Sequence, residues 1–462
     1  MGVTSLTVTS TRIRASAALK RVLRPHPAQV LVAAFGVATV IGTGLLMLPI
    51  SRSGPGGATL VEALFTAVSA VCLTGLAVVD TATYWSGFGQ AVILALIQIG
   101  GFGVLTFASL LGLIVIRRLS LRSRLTAAAE TKSVGLDDVR TLIFGVLQIS
   151  LTVEAITAVL LAARFSLGYG YSLGESVWLG VFHSVGSFNN AGFVLFEGGL
   201  YDFVSDPYIC LPIAGAIILG GLGFPVIMQL RKHLTEPLRW SMNTRLVLWG
   251  TVMLTIGGTV YITVLEWNNP ATLGALDWPA RILAGFFHSV QTRSGGLNTV
   301  DVGAMDSATW LGMDVLMFIG AGPAGTGGGI KITTFAVLFF IILTEIRGEG
   351  VVNIFGKQLS RAVHRQAITV ALLSVGVVVL ATTVLMLLTE FTLDRVLFEA
   401  ISAFGTVGLS TGITPDLPAA GQLILVALMF IGRLGPITFA SALALRERRI
   451  PYNFPKERPI IG

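Results

Sequence analysis

The sequence predicts an all-α membrane protein: eight transmembrane helices plus four short re-entrant half-helices, set out as four pseudo-symmetric helix–loop–helix repeats. Three observations point there. Only 12% of the 462 residues are charged while 53% are hydrophobic, against about a quarter charged in a soluble domain. Eight apolar stretches approach or exceed the ~20 residues a helix needs to cross the hydrocarbon core. Between alternate pairs of these lie four semi-apolar segments too short to cross.

Five of the spans carry no charge: residues 28–50, 87–116, 207–230, 246–265 and 366–389. Three are interrupted by rare charges: 141–163 by Glu154, 308–344 by Asp314 and Lys331, and 420–445 by Arg433. Residues 28–50 are too long for the apolar core of a signal peptide and count as the first helix. The organisation that follows is an N-terminal segment (1–27), repeats at 28–116, 141–230, 246–344 and 366–445, and a C-terminal tail (446–462).

The net charge of +7 is unevenly spread. Segments 12–24, 117–140, 231–245, 347–365 and 446–458 hold 24 of the 31 basic residues. The positive-inside rule makes these connections and both termini cytoplasmic, and removes any need for nucleic acid to explain the charge. The opposite connections carry Asp80, Glu197, Asp202, Asp206, Glu266, Asp301, Asp306 and Asp416. An acidic outer vestibule built from them would concentrate cations. Cys72 and Cys210 stand in apolar runs without metal-ligand spacing and read as small buried side chains.

The short segments fall near 61–79, 175–196, 281–297 and 395–413, and their length marks them as re-entrant. Placed on one glycine each, they align without gaps: FTAVSAVCLTGL (65–76), FHSVGSFNNAGF (182–193), FHSVQTRSGGL (287–297) and FEAISAFGTVGL (398–409). Gly75, Gly192, Gly296 and Gly408 then coincide, and Phe65, Phe182, Phe286 and Phe398 stand ten residues earlier. Each following span carries a second landmark, Gly100, Gly220, Gly320 or Gly432, 24 to 28 residues further on. These read as glycine-marked breaks.

A half-helix that enters from outside and stops at mid-membrane aims its negative C-terminal end at the centre, where a cation is stabilised. The loop that returns has non-helical backbone, tolerated at that depth only where it lines a wet cavity. There its carbonyl oxygens replace an ion's hydration shell, and glycine supplies the torsions and the close approach. Four copies give a ring of carbonyls suited to a monovalent cation. The candidate ion-binding residues are Thr74, Gly75, Asn190, Ala191, Gly192, Gly295, Gly296, Thr406, Val407 and Gly408. The run Thr406-Val407-Gly408 resembles the start of the potassium-channel TVGYG filter. No Ser/His/Asp or paired-carboxylate arrangement points to catalysis, so an enzyme is not expected.

The motifs NNAGF (189–193), RSGGLNT (293–299) and GTVGLSTG (405–412), with the spans and half-helices, resemble the Ktr/Trk/HKT superfamily of potassium transporters over essentially the whole chain. The similarity runs most closely to the membrane subunits of bacterial Ktr systems. It implies K+ uptake through a selectivity filter at the four glycines, often with Na+ dependence, and no organic cofactor on this chain. It also implies a homodimer in the cell membrane, each protomer with its own pore, resting on a ring of cytoplasmic KtrA-type nucleotide-binding subunits. In the third loop Ser294-Gly295-Gly296-Leu297 departs from the family's more frequent Thr-Ala-Gly-Phe, and the extra glycine is expected to loosen one wall.

Within 318–331, FIGAGPAGTGGGIK satisfies G-x-G-x-x-G, but Pro323, Gly325, Gly327, Gly328 and Gly329 oppose the helix that a dinucleotide loop must open. No soluble βαβ pattern surrounds it. What remains is a flexible break in the middle of the 308–344 span. The family resemblance makes 320–331, with Gly320, Gly322, Gly325, Gly327, Gly328, Gly329 and Lys331, an intramembrane gate, and assigns Arg433 to gating below the filter. Pairing of Arg433 with Glu154 or Glu399 is the structural alternative. Arg293 is expected to pair with Glu399 or an outer acid. His183 and His288 read as polar packing on the half-helices rather than as a metal pair. The alternative function class is a secondary transporter of another cation or small solute, which predicts two inverted halves instead of four repeats in one orientation.

Overall fold

A computed structural model describes the chain over residues 27–117 and 136–435. The expected N-terminal segment, most of the basic connection after Arg117, the end of the fourth repeat and the C-terminal tail lie outside the described residues.

The protein is mostly helical, and its helices recur in the expected order. The first helix of each repeat is long and apolar: Pro27–Leu46, Leu136–Tyr169, Met242–Glu266 and Arg361–Leu388. Each contains an apolar stretch of 18 residues or more, enough to cross a membrane. A short helix follows in each repeat: Leu60–Cys72, Leu173–Asn189, Trp278–Gln291 and Leu393–Gly405. At ~1.5 Å per residue, their 13 to 17 residues fall short of a ~30 Å hydrocarbon core. The remaining helices lead away from the short ones: Gly87–Arg117, the pair Pro207–Leu222 and Phe224–His233, the pair Ser307–Phe318 and Ile332–Ile346, and Ala419–Leu434. A two-stranded hairpin, Asn353–Ile354 with Lys357–Gln358, sits between the third and fourth repeats.

Local sequence explains where the short helices begin and end. Thr59 and Glu62 form a reciprocal capping box, and the Ser172 hydroxyl accepts from the Glu175 N–H. At the other end Leu73, Asn190 and Thr406 adopt left-handed torsions, and the next amide folds back over the last turn. Those bonds are Thr74 N to Ser69 O, Ala191 N to Gly186 O (both 2.8 Å) and Val407 N to Ser402 O (2.9 Å). The third helix stops at Gln291, and the left-handed residue is Ser294.

That difference corrects the gapless alignment. Phe65, Phe182 and Phe398 are fully buried, but in the third repeat the fully buried ring is Phe287, not Phe286. The FHSV run at 287–290 superimposes in role on FHSV at 182–185, as the serines show: Ser184 Oγ donates to Glu154 O, and Ser289 Oγ donates to Thr255 O. From the buried phenylalanine to the glycine the third repeat is therefore one residue shorter, 287–296 against 182–192, while its helix ends at Gln291 and leaves 292–295 to make the turn.

The landmark glycines are corrected as well. Gly87–Arg117 runs through Gly100 without a break, and Ala419–Leu434 runs through Gly432. In the second repeat the 98° bend falls at Gly223, which has a positive φ of 86°, rather than at Gly220. What Gly100, Gly220 and Gly432 share is contact: a Cβ there would collide with the carbonyl oxygens of Val71, Phe188 and Phe404, each four residues before its loop glycine. These glycines let the helix back press against the end of the short helix. Only the third repeat is opened where the sequence indicates, between Phe318 and Ile332.

Adding a methyl at such a contact overpacks a rigid backbone, whereas Gly257 has nothing within 4 Å of its Cβ position. Gly220→Ala is expected to destabilise the detergent-solubilised protein by about 1 to 3 kcal/mol, seen as an earlier midpoint in a thermal size-exclusion series. Gly257→Ala is expected to match the wild type or exceed it. Equal midpoints for Gly220→Ala and wild type would contradict the contact reading.

Candidate ion-conducting site

The four short helices point their C-termini at one place, and the loops after them meet there. Gly75, Gly192, Gly296 and Gly408 have φ of 88°, 67°, 75° and 97°, a region L side chains avoid. A Cβ on Gly75 would lie 2.5 Å from Gly192 Cα, one on Gly192 3.2 Å from Gly296 Cα, one on Gly296 3.2 Å from Gly408 Cα, and one on Gly408 3.2 Å from Gly75 Cα. The four glycines thus form a closed ring in chain order. The carbonyl oxygens of Thr74, Ala191 and Val407 sit against the glycine of a neighbouring loop, and they accept no hydrogen bond among the described residues.

The N–H groups of the loops, by contrast, are held by the short helices behind them. Ser69 Oγ accepts from Gly75 N (3.0 Å) and donates to Leu76 O (2.7 Å), and Ser402 Oγ accepts from Gly408 N (3.2 Å). Gln291 Oε1 accepts from Leu297 N at 3.0 Å. Three residues beyond the glycine a second brace recurs: His183 Nε2 accepts from Leu195 N (3.3 Å) and His288 Nε2 from Thr299 N (3.4 Å). In the fourth repeat Glu399 takes that place. Its carboxylate accepts from Thr411 N (2.9 Å), Ser410 Oγ (2.6 Å) and Thr414 Oγ1 (2.7 Å). Each histidine serves its own loop, and among the described residues no group of three or more His, Cys, Asp or Glu is arranged to hold a metal. Cys72 and Cys210 are free and buried.

Above the ring opens a cavity of about 530 Å³ whose floor includes all four glycines. Of the outer acids read from sequence, Asp80 and Asp301 line it. Asp206 is instead paired with Arg164 at 2.7 Å. Glu266 is fully buried and accepts from Thr272, Asn269, Thr309 and the Asp306 N–H. The acidic vestibule is narrower than the charge pattern implied.

Below the ring lies the irregular segment between Phe318 and Ile332. Gly322 N donates to Gly221 O (2.8 Å) and Gly320 N to Ile330 O (2.8 Å). Thr326 is its hub: the N–H reaches Gly220 O (3.2 Å), the hydroxyl donates to Phe188 O (3.3 Å), and the carbonyl accepts from Arg433 Nη1. Gly328 N donates to Ser294 Oγ (3.3 Å), which itself donates to Gly405 O (3.1 Å). A Cβ on Gly328 would meet the Thr406 side chain, and one on Gly327 would come within 2.9 Å of Ser294 Oγ. Lys331 Nζ curls back to Gly327 O at 2.5 Å. The segment therefore touches loops three and four and the end of the second short helix at once. No helix opens on its glycines, which removes the dinucleotide geometry.

Two charge expectations change. Arg293 makes no ion pair among the described residues; it donates to Thr251 O (3.2 Å), Thr251 Oγ1 (3.2 Å) and Thr255 Oγ1 (3.3 Å) on the preceding long helix. Arg433 pairs with neither Glu154 nor Glu399, because Glu154 is bound by Gln98 and Asn189 while Glu399 is committed to its loop. Thr326, Ser294 and Gln291 were missed from sequence, although a lone hydroxyl in a glycine run and a glutamine at a helix end are the signals that mark them.

Several membrane-length apolar helices around a central meeting of four glycine loops define a helical membrane protein of the transporter class, and comparison with known proteins agrees. The family described as TrkH, cation transport protein, matches residues 3–448. The chain is 39% identical to Ktr system potassium uptake protein B of Bacillus subtilis, over 92% of this chain and 95% of that one. It is 37% identical to the protein of the same name from Vibrio alginolyticus (90% and 91%), and 33% identical to potassium/sodium uptake protein NtpJ of Enterococcus hirae (95% and 98%). The crystal structure of the potassium transporter TrkH from Vibrio parahaemolyticus shares the fold, with a TM-score of 0.72 at 15% identity over 91% of this chain and 86% of that one. The chain belongs to the TrkH family, a family of ion transporters rather than enzymes.

Removing the Glu399 carboxylate strands four donors, three of them buried: Thr411 N, Thr411 Oγ1 and Thr414 Oγ1, with the half-buried Ser410 hydroxyl. Glu399→Ala is expected to destabilise the protein by on the order of 2 to 3 kcal/mol, with Glu399→Gln, which keeps one acceptor oxygen, falling between it and wild type. Thermal unfolding followed by tryptophan fluorescence measures the order; three coincident midpoints would contradict the brace.

Proposed function

We propose that this chain is the ion-conducting membrane subunit of a potassium uptake system. The single observation that carries the proposal is the closed ring of four left-handed glycines with unpaired carbonyls beside it. Hard carbonyl oxygens at the negative ends of four helices suit a monovalent cation that must shed water to pass. In this reading the ring is the selectivity filter, formed by Thr74, Gly75, Asn190, Ala191, Gly192, Gly295, Gly296, Thr406, Val407 and Gly408. The chain crosses the membrane eight times, with four pore half-helices and both termini in the cytoplasm. The relatives named as potassium uptake proteins support K+ as the ion, and the potassium/sodium uptake protein of Enterococcus hirae supports a part for Na+. A homodimer on a KtrA-type cytoplasmic ring completes the assembly.

The segment 320–331 is the gate. Its contacts to Ser294, Gly405 and Thr406 put it under the filter, and Arg433 on the Thr326 carbonyl holds it there. Opening needs those polar contacts to exchange for water or for one another, and a glycine-rich backbone permits that. A secondary transporter built on two inverted halves does not account for four loops that each follow a short helix and are each braced by a side chain from it.

Potassium-limited growth of an uptake-deficient host is expected to be restored by the wild-type chain with its cytoplasmic partner and lost with Gly75→Ser or Gly408→Ser, whose side chains would enter the neighbouring loop. Undiminished rescue by both variants, or none by wild type, contradicts the filter. Separately, deleting 325–329, or Arg433→Ala, is expected to raise K+ flux into proteoliposomes by about tenfold, equivalent to ~1.4 kcal/mol. Unchanged flux with an intact elution profile contradicts the gate.

A further inference from the structure

Away from the ring, a second cavity of about 610 Å³ opens where the third repeat hands over to the fourth. Its floor is apolar and buried, with Val352 and Leu359 packed against Val337 and Ala367. Its rim carries Glu345 and Glu349 on one side and Arg361, His364 and Arg365 on the other. Among the described residues none of these acids pairs with any of these bases; the ion pairs present are Arg164–Asp206 and those of Glu236 with His233 and Arg239. His364 Nε2 is buried without a partner.

The arrangement also runs against the helix dipoles. Glu345 lies in the last turn of Ile332–Ile346, where an acid is unfavourable, and Glu349 lies just beyond it. Arg361 opens Arg361–Leu388, where a base is unfavourable, and that helix has no acid in its first turn and no side-chain cap at Ser360. One wall of the cavity thus offers two carboxylates to a cation, and the opposite wall offers two guanidiniums, an imidazole and the first N–H groups of a helix to an anion. The field fits a zwitterion. Arg361–Leu388 is long and apolar enough to cross a membrane, Ile332–Ile346 is a shorter apolar helix, and the cavity lies where the one begins and the other ends, the place in a bilayer where charged headgroups meet apolar chains.

We propose that this cavity binds the headgroup of a phosphatidylethanolamine lipid. The phosphate is held by Arg361, Arg365 and the N-terminus of Arg361–Leu388, and the primary ammonium by Glu345 and Glu349. A primary ammonium has three N–H donors for those carboxylates, which a trimethylammonium lacks and an uncharged glycerol headgroup cannot match. The acyl chains lie along the exposed faces of the two helices. A lipid seated here ties the helix that follows the broken third span to the first helix of the fourth repeat.

The full chain reconstituted in nanodiscs with equimolar phosphatidylethanolamine, phosphatidylcholine and phosphatidylglycerol tests this, with retained lipid counted by native mass spectrometry. Wild type is expected to retain phosphatidylethanolamine over each of the others by about five- to tenfold, the size of one hydrogen bond's net contribution. Glu345→Gln with Glu349→Gln is expected to lose the preference over phosphatidylcholine, and Arg361→Ala with Arg365→Ala to lower retention of all three. Equal retention of the three lipids by wild type overturns the proposal whatever the variants do. So does an unchanged preference in a Glu345→Gln/Glu349→Gln protein that elutes as wild type. Displacement of the lipid by millimolar glycerophosphoethanolamine would make a soluble zwitterion the occupant and overturn the lipid assignment.

Discussion

Everything in this molecule answers to the contact among four glycines. For carbonyl oxygens from four separate loops to reach one axis, the backbones must approach until a single Cβ would collide with the next loop, and each must turn through a left-handed torsion. Only glycine meets both demands. That requirement fixes the length of the short helices, the position of their caps, and the second set of glycines at 100, 220 and 432 that lets the flanking helices press against the helix ends. The fold is the means of holding four loops at that spacing.

The four loops are equal in geometry and unequal in chemistry. Behind the first stands Ser69, behind the second His183, behind the third Gln291 and His288, and behind the fourth Ser402 and Glu399. Each supplies an acceptor for the loop's N–H groups, so the carbonyls remain for the axis. A buried donor left unsatisfied costs about 1 to 3 kcal/mol, so the braces stiffen the ring as well as orient it. The segment under the ring reverses the pattern: its glycines leave few side chains to lock it, and its ties are single bonds to Gly220, Gly221, Phe224, Phe188, Ser294 and Arg433. A braced ring over a glycine-rich segment held by single bonds supports the proposed filter above a gate.

Much of this was legible in the sequence because the physics is local or periodic. The four long first helices, the short helices and the loop glycines each leave a pattern in one stretch of chain, and 320–331 declared itself by glycines in the middle of an apolar run. The offset at Phe287 was hidden because a register placed on the glycines cannot show that the third helix ends earlier, at Gln291. The glycines at 100 and 432 read as breaks because a glycine in a helix signals either weakness or close approach, and only the partner carbonyls of Val71 and Phe404 decide between them. The fates of Arg293, Asp206 and Glu266 depended on partners far away in sequence, where charge counting has no purchase. Their partners are a helix carbonyl and threonine hydroxyls for Arg293, Arg164 for Asp206, and a cluster of donors for Glu266.

The most direct measurement is anomalous diffraction from crystals grown with Rb+ or Tl+ in place of K+. The account predicts an anomalous peak on the axis of the ring, among the carbonyls of Thr74, Ala191, Gly295 and Val407, that disappears when Na+ alone is present. A peak elsewhere in the protein with the ring empty, or equal occupancy of the ring by ions of either kind, would contradict it.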